Sequence, residues 1–418
     1  MRYSFPEIRH LDDVRAAIEG RDEFIIAQRD WGYVVNYMVS MNDTFPPVLD
    51  EEYWCPGCKL PISETEGCGS QRCPDSVNLA AIRRECRGIL FYPDGRLMMR
   101  RLHKFFNVNE RDETQQQLLD LTQPHVILEK LDGSMITPVV VDNAVRWGTK
   151  MGITDVAAGA ENFVAAHPNY YQFADQMIDQ GKTPIFEWCS RKQRIVVDYP
   201  QDRLVLIAVR DNITGAYMSF NDMWALSRDN GIDLVRYHEG TIANMEQLVG
   251  ETRDLKGVEG WVVRFDDGHM VKIKAEEYVR FHKTKDGLSQ EKNVVDMIIN
   301  EKIDDTKAFM MDEDRRRVEQ FEEQFWRGFD QESNRMNLDI NQIRNNVQGD
   351  RKRCAIEFAP KLDPITRQVM FSCWDGGRDV RTELIGVIKK NVSTGTKVDS
   401  VRHLWGNAKW NYHFDGDM

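Results

Sequence analysis

The chain has 418 residues, of which 55 are Lys or Arg and 67 are Asp or Glu, so the formal net charge is -12. This length predicts two domains, because a single core stops growing at about 250–300 residues. The acidic balance argues against a nucleic-acid coat or a membrane-surface protein but leaves room for a local basic groove. With no signal-peptide pattern and no bilayer-spanning apolar run, we expect a soluble protein of the cytoplasm, or of the host cytoplasm if the chain is viral, with no membrane partner.

Apolar segments bounded by turn residues predict many strands before residue 285. Residues 24–39 and 86–101 should be extended, the second as a hairpin about Pro93, Asp94 and Gly95. Helices are expected at 114–121, 157–180 and 219–230. Further strands are expected at 125–131, 145–150, 183–189, 194–199, 203–210, 257–265 and 269–274. Strands and helices do not alternate regularly, so the pattern predicts an α+β fold with antiparallel sheets and flanking helices.

After residue 285 the apolar residues recur at helical spacing. The sequence therefore predicts a first domain over 1–285 and an all-helical C-terminal domain over 286–418. Trp405 and Trp410, near the end of the chain, are expected to be buried anchors of that domain.

The eight cysteines fall into two groups. Cys86, Cys189, Cys354 and Cys373 are scattered and should be small buried hydrophobic residues. The other four lie in a stretch over about 53–76 that resembles an insert, and their spacing suits a structural zinc ion, with free thiols or disulfides as the alternative. These four are Cys55, Cys58, Cys68 and Cys73.

Lys130, in the run EKLDGS, is the candidate nucleophile. A lysine amine has an ordinary pKa of roughly 10.4, so it needs nearby cations or desolvation to react at neutral pH. Lys272 and Lys274 lie two apart in a predicted strand and should project from one face, where they would supply that field and bind phosphate. Taken singly, KLDGS also fits an ordinary turn and KIK a solvated strand face.

Two glutamates interrupt apolar strand segments: Glu187 in IFEWC and Glu259 in VEGWVV. An unpaired carboxylate is costly in such surroundings, which suggests a function. Each could accept a hydrogen bond from a ribose hydroxyl or bind a hard divalent cation, or could simply pair with a surface lysine.

The ordered set EKLDGS, FEWCSRKQRIVV, VEGWVV and MVKIKAEEY resembles the covalent nucleotidyltransferase superfamily of polynucleotide ligases and mRNA capping enzymes. The segments ECRGILF, HKFFNVNE and YVRFHKTK make it most similar to the T-even phage type of ATP-dependent RNA ligase, the tRNA-repairing kind. The resemblance runs from about residue 84 to 311. It implies a ligase-type nucleotidyltransferase domain.

Matching positions imply that Lys130 is the adenylated lysine and that Gly133 lets its loop close over the nucleotide. The implied ATP-binding residues are Arg87, Lys104, Phe106, Gly133, Lys150, Glu187, Glu259, Lys272, Lys274 and Tyr278. Magnesium, or manganese, is implied near Glu259. Asp304 and Asp305 match an acidic pair that could also hold the metal, although a solvated helix end fits them too.

The resemblance implies an enzyme that joins RNA 5′-phosphate and 3′-hydroxyl ends through lysyl-AMP and adenylated RNA. We expect a monomer acting on tRNA or other single-stranded RNA ends. The alternatives are a DNA ligase or a capping guanylyltransferase, which usually carry a C-terminal β-barrel, so the helical tail favours RNA ligase. A non-catalytic, zinc-containing RNA-binding protein is a third alternative, but all the matched positions are present.

Overall fold

The computed structural model describes residues 5–41, 43–46, 77–307, 310 and 312–411, without the side chains of 77, 78 and 305. The chain divides into two compact units, Met1–Val279 and Arg280–Met418. Across the described ranges, each helix is too short or too polar to traverse a lipid bilayer. The predicted zinc ligands Cys55, Cys58, Cys68 and Cys73 lie outside the described residues.

Three four-stranded sheets form the described part of the first unit, in the orders β1-β2-β3-β4, β10-β9-β7-β8 and β5-β12-β11-β6. Neighbouring strands pair antiparallel except β5 and β12. The strands are β1 (Phe24–Arg29), β2 (Gly32–Tyr37), β3 (Arg87–Phe91), β4 (Leu97–Met99), β5 (Phe106–Asn107), β6 (His125–Lys130), β7 (Ser134–Val141), β8 (Ala144–Gly148), β9 (Lys182–Cys189), β10 (Arg203–Asp211), β11 (Gly260–Phe265) and β12 (Met270–Lys274).

Helices flank these sheets: α1 (Leu11–Ile18), α2 (Val77–Glu85), α3 (Asp155–Ala166), α4 (Pro168–Asp179), α5 (Phe220–Asn230) and α6 (Met245–Arg253). The helical stretch predicted at 157–180 is two helices, because Pro168 occupies the first turn of α4 and so begins a new helix. Helix α5 begins where Ser219 accepts the amide of Asp222 and ends at Gly231, which is left-handed with φ of 62°.

Two local predictions are wrong. Residues 194–199 form no strand, because the backbone amides of Val196 and Val197 donate to the side chain of Asp132, at 2.7 Å each, rather than to a strand. The segment 114–121 is not an α-helix: it contains the short 3-10 turn Gln116–Leu118, and another, Asp112–Thr114, ends at its first residue.

The second unit is helical in its described residues. Helix α7 (Glu276–Leu288) begins just before it. The others are α8 (Glu291–Ile299), α9 (Ile303–Lys307), α10 (Asp312–Asn346), α11 (Arg351–Glu357), α12 (Pro364–Ser372), α13 (Val380–Lys390) and α14 (Gly395–Val401). Trp405 and Trp410 are buried in its core, and their indole N–H groups donate to the carbonyl oxygens of Ala408 and Leu288. The predicted fold class, antiparallel sheets followed by a helical C-terminal region, is confirmed.

Candidate active site

A cavity of about 440 Å³ lies beside the turn that follows β6. This turn carries the chain from the third sheet to β7 of the second sheet, so residues of both sheets line the cavity. Lys130 and Lys272 come from the third sheet, and Glu187 comes from the second. The sequence-predicted residues that line the cavity are Arg87, Lys130, Gly133, Lys150, Glu187 and Lys272.

Strand register brings Glu259 between two lysines. Gly260, the first residue of β11, lies opposite Lys130 of β6 on one side and opposite Lys274 of β12 on the other. The preceding residue, Glu259, is buried, and its Oε1 atom lies 2.8 Å from Lys130 Nζ and 3.0 Å from Lys274 Nζ. One carboxylate oxygen thus fixes both amines. Gly260 has φ of 142° and a Cβ there would meet the Ile273 carbonyl oxygen at 2.0 Å, so glycine lets the strands approach this closely.

Lys272 lies two residues from Lys274 on β12, and its ammonium is 5.6 Å from the centre of the Phe105 ring. Burial, with the neighbouring charges of Arg87 and Lys130 acting in the same direction, lowers the pKa of Lys272 to about 7. Its charge is therefore half lost near neutral pH, and a bound anion would restore it.

Arg87, Lys150 and Lys272 make no ion pair within the described ranges. The Nη1 atom of Arg87 is buried with no hydrogen-bond partner among the residues that the structure describes, and the guanidinium carbon lies 5.7 Å from the Phe105 ring centre. Buried donors are normally satisfied, so an anionic ligand is the expected partner of this atom.

Glu187 faces these cations without a hydrogen bond from any residue that the structure describes. The pKa of Glu187 is raised to about 7, because burial and the negative charge of Glu259 together outweigh the opposing effect of Lys130. A carboxyl group kept near its titration point in a cavity is a candidate ligand-binding group.

The turn after Lys130 is held by Asp132 rather than left open to an anion. The Oδ1 atom of Asp132 accepts the Tyr278 hydroxyl at 2.8 Å, and its backbone N–H donates to the Tyr199 hydroxyl at 2.9 Å. Its Oδ2 atom accepts the two valine amides noted above. The turn that presents Lys130 is therefore fixed from helix α7 and from the 194–199 segment.

Gly133 is required by close packing. A Cβ on this residue would lie 2.3 Å from the carbonyl oxygen of Trp188 and 3.1 Å from Glu187 Cγ. The backbone of β9 thus leaves no room for a side chain at this position.

Residues 85–278 match a protein-family model described as RNA ligase, and this range holds Lys130 and every candidate ATP-binding residue. This region of the chain is similar to the RNA ligase family. The family resemblance noted in the sequence is thereby confirmed.

Relatives with an RNA ligase name cover the same region. A protein of Thermovibrio ammonificans named as an RNA ligase is 34% identical over 212 residues, covering 48% of this chain and 53% of its own. RNA ligase 1 of Bacteriophage TS2126 is 27% identical over 199 residues, covering 46% of this chain and 50% of its own. The chain spans about half the length of these curated relatives. A solved archaeal ATP-dependent RNA ligase is 13% identical with a TM-score of 0.39, covering 66% of this chain and 64% of its own, and we draw no argument from it.

Lys104 and Phe106, expected at the nucleotide, do not line this cavity. Phe106 is fully buried, and the Lys104 amine lies 5.1 Å from the Phe106 ring centre and 5.0 Å from that of Tyr37. Their neighbour Phe105 lines the cavity instead. Sequence reasoning missed Phe105, although the strand period of two in KFFN puts Phe105 and Phe106 on opposite faces.

The carboxylates of Glu187 and Glu259 suit a divalent cation that keeps most of its bound water molecules. Among the described side chains, no group of three or more His, Cys, Asp or Glu residues is arranged to hold a metal. Magnesium commonly binds through one or two carboxylates and substrate phosphates, and Glu187 and Glu259 offer that number of oxygen ligands. Asp304 instead pairs with Lys307 at 2.8 Å, and the side chain of Asp305 is not described.

Proposed function

We propose that this protein is an ATP-dependent RNA ligase that uses Lys130 as its adenylated nucleophile. The observation that carries the proposal is the concentration of cations around one amine: Lys130 shares a cavity with Arg87, Lys150 and Lys272, none of which is ion-paired in the described ranges. Such a set binds a polyphosphate, and the RNA ligase family match gives the reaction class.

In the first step, the Lys130 amine attacks the α-phosphorus of ATP. A nitrogen–phosphorus bond forms, the bond to pyrophosphate breaks, and one proton leaves the amine. Lys272 and Lys274 hold the α-phosphate, while Arg87 and Lys150 bind the outer phosphates or the RNA phosphate. Glu187 accepts from a ribose hydroxyl. Positioning and charge stabilisation supply most of the acceleration.

The next two steps use RNA. An oxygen of an RNA 5′-phosphate attacks the phosphorus of lysyl-AMP, which forms adenylated RNA and releases the lysine. An RNA 3′-hydroxyl then attacks the activated 5′-phosphate, so a phosphodiester forms and AMP departs. Both steps require the same cationic surface, because each passes through a transition state with charge on phosphate oxygens.

Glu187 and Glu259 would hold magnesium or manganese together with the phosphates. The bound ion would neutralise phosphate charge and orient the pyrophosphate leaving group. Lys130 and Lys274 both pair with the same oxygen of Glu259. We therefore expect the site to bind a metal ion weakly when no nucleotide is present.

The biological setting that we propose is repair of cleaved RNA, tRNA in particular, by a monomeric cytoplasmic enzyme. We also propose that Cys55, Cys58, Cys68 and Cys73 bind one structural zinc ion. Metal analysis of protein purified without chelator tests the zinc proposal: near-stoichiometric zinc is expected, and loss of zinc in Cys55→Ser is the control.

The decisive experiment is incubation with α-labelled ATP and magnesium, followed by denaturation. Acid-labile label should stay on the wild-type protein and be absent from Lys130→Ala. Labelled 5′-phosphate RNA should then be converted to a longer or circular product. Labelling from GTP rather than ATP would favour a capping guanylyltransferase, and sealing of nicked DNA but not RNA would favour a DNA ligase. No labelling with either nucleotide would overturn the proposal and favour a non-catalytic RNA-binding protein.

A further inference from the structure

Trp224 and Tyr237 are two of the exposed aromatic side chains in the described part of the first unit, and neither has a part in the proposed chemistry. Trp224 on α5 is 51% exposed and Tyr237 is 47% exposed. Every other tryptophan whose burial is described is buried or half-buried. A tryptophan left in water forgoes a large hydrophobic gain, so its exposure points to a partner.

Tyr237 lies on the face of the sheet that carries Lys130. It forms a bridge opposite Leu128, flanked by hydrogen bonds from Glu129 N to Arg236 O and from His238 N to Ile127 O, each 2.8 Å. Residues directly opposite in an antiparallel pair project from the same face. Leu128 lines the cavity, and Lys130 follows two residues later, about 7 Å along the strand. Tyr237 is therefore close to the rim of the cavity.

From this rim, aromatic groups continue along α5. Tyr237 meets Phe220 edge to face at 5.2 Å between ring centres. Trp224 follows Phe220 by four residues, which puts it on the same side of the helix. The guanidinium of Arg228 lies 5.0 Å from the centre of the Trp224 ring. We call Tyr237, Phe220, Trp224 and Arg228 the aromatic strip.

Positive charge accompanies the aromatic strip. Arg228 pairs with its neighbour Asp229 at 2.8 Å, while its planar group stays over Trp224. Arg236 is the next residue before Tyr237 in this extended segment and so projects from the opposite face, which leaves Arg228 as the arginine of the strip. Exposed aromatic rings beside an arginine are the chemistry that binds unpaired nucleotides, because bases stack on the rings and on the guanidinium plane, and phosphates bind the cation.

We propose that the aromatic strip is a stacking platform for unpaired RNA nucleotides next to the ends being joined. This inference rests on the proposed function, since it makes the strip an extension of the same site. It requires single-stranded RNA, because bases inside a duplex have no free face to stack on Trp224 or Tyr237.

The test uses the full-length variants Trp224→Ala and Tyr237→Ala. RNA affinity is measured by fluorescence anisotropy with a labelled single-stranded oligonucleotide that has a 5′-hydroxyl and so cannot be adenylated. Each variant should bind about 10-fold more weakly, because stacking contributes that much or more per base. Formation of lysyl-AMP from ATP should stay at the wild-type rate.

Three controls sharpen the test. Trp224→Phe keeps a ring and should recover most of the affinity. Tyr171→Ala removes a tyrosine that is 41% exposed on α4, outside the aromatic strip, and should bind RNA normally. A blunt duplex of the same sequence should bind wild type and Trp224→Ala equally.

Wild-type RNA affinity in both alanine variants would overturn the inference, and so would a parallel loss of lysyl-AMP formation, which would indicate a structural role. An equal loss of duplex binding would also exclude stacking. The proposed function can fail separately. If the wild-type protein binds RNA through Trp224 but forms no lysyl-AMP, the stacking platform is supported and the ligase function is not.

Discussion

The carboxylate of Glu259 lies 2.8 Å from the amine of Lys130, the group that the proposed mechanism requires as nucleophile. The same oxygen lies 3.0 Å from Lys274 Nζ, so a single atom positions both amines. Attack on phosphorus needs the lone pair of the Lys130 nitrogen, and this contact must open when ATP binds. The α-phosphate offers Lys274 another anionic partner and so competes with Glu259 for this lysine.

Glu259→Gln should slow lysyl-AMP formation by roughly 10-fold or more, because an amide positions the two amines with weaker hydrogen bonds than a carboxylate does. Single-turnover rates with α-labelled ATP measure the effect. Glu276→Gln, at an exposed glutamate in the first turn of α7, is the matched control and should react normally. A wild-type rate in Glu259→Gln would remove this residue from the mechanism.

Lys272 should make anion binding depend on pH. Its pKa is lowered to about 7, so between pH 7 and 9 the free protein loses the positive charge that a phosphate prefers. Affinity for an ATP analogue that cannot be cleaved at the α-phosphorus should therefore fall as pH rises, with proton uptake on binding at pH 8. Calorimetry in two buffers of different ionisation enthalpy measures both quantities.

Lys272→Arg should flatten that pH dependence, because arginine stays charged throughout this range. Lys182→Arg, at a lysine whose amine donates to Gln180, should leave the dependence unchanged. The interpretation is wrong if the arginine variant shows the same decline in affinity between pH 7 and 9 as wild type.

The sequence predicted the strand segments that carry Lys130, Glu187, Lys272 and Lys274, because strands are short and their apolar pattern is local. The sequence also identified Glu259 as a carboxylate in an apolar strand segment, where an unpaired negative charge is unfavourable. It did not predict that Gly260 lies opposite both Lys130 and Lys274, since register between distant strands depends on the whole sheet.

Long-range side-chain contacts explain the errors. The apolar run 194–199 has the composition of a strand, yet two of its amides bind Asp132, more than 60 residues earlier in the chain. Local propensity contains no information about such a partner. Lys104 and Phe106 were assigned to the nucleotide from the family motif alone; neither lines the cavity, and their role there stays a prediction.

Gly133→Ala should abolish or strongly reduce activity while the rest of the fold persists. The added Cβ would lie 2.3 Å from a backbone oxygen of β9, so the turn after Lys130 or strand β9 must shift. Gly250→Ala is the control, because Gly250 lies in α6 with nothing within 4 Å of its added Cβ, and alanine there should stabilise the helix by up to about 1 kcal/mol. Thermal unfolding and lysyl-AMP formation, measured on both variants, separate the two effects. Normal labelling of Gly133→Ala would show that the close approach to β9 is not needed.

Glu187→Gln should stabilise the empty protein while weakening its function. The pKa of Glu187 is raised to about 7 from an ordinary value of 4.5, so the folded state binds this proton more tightly than the unfolded state does. The ionised carboxylate therefore lowers the free energy of unfolding as pH rises from 4.5 to 7, and the full cost persists above pH 7. Glutamine removes that cost. The Tm of the variant should exceed that of wild type by roughly a few degrees at pH 8, and the difference should vanish near pH 4.5.

The affinity of Glu187→Gln for ATP should be lower than that of wild type over the same alkaline range, because the amide is a poorer acceptor for a ribose hydroxyl than a carboxylate is. Calorimetric scans from pH 4.5 to 8, paired with binding of the uncleavable ATP analogue, measure both. A Tm difference that does not change with pH would mean that Glu187 titrates normally.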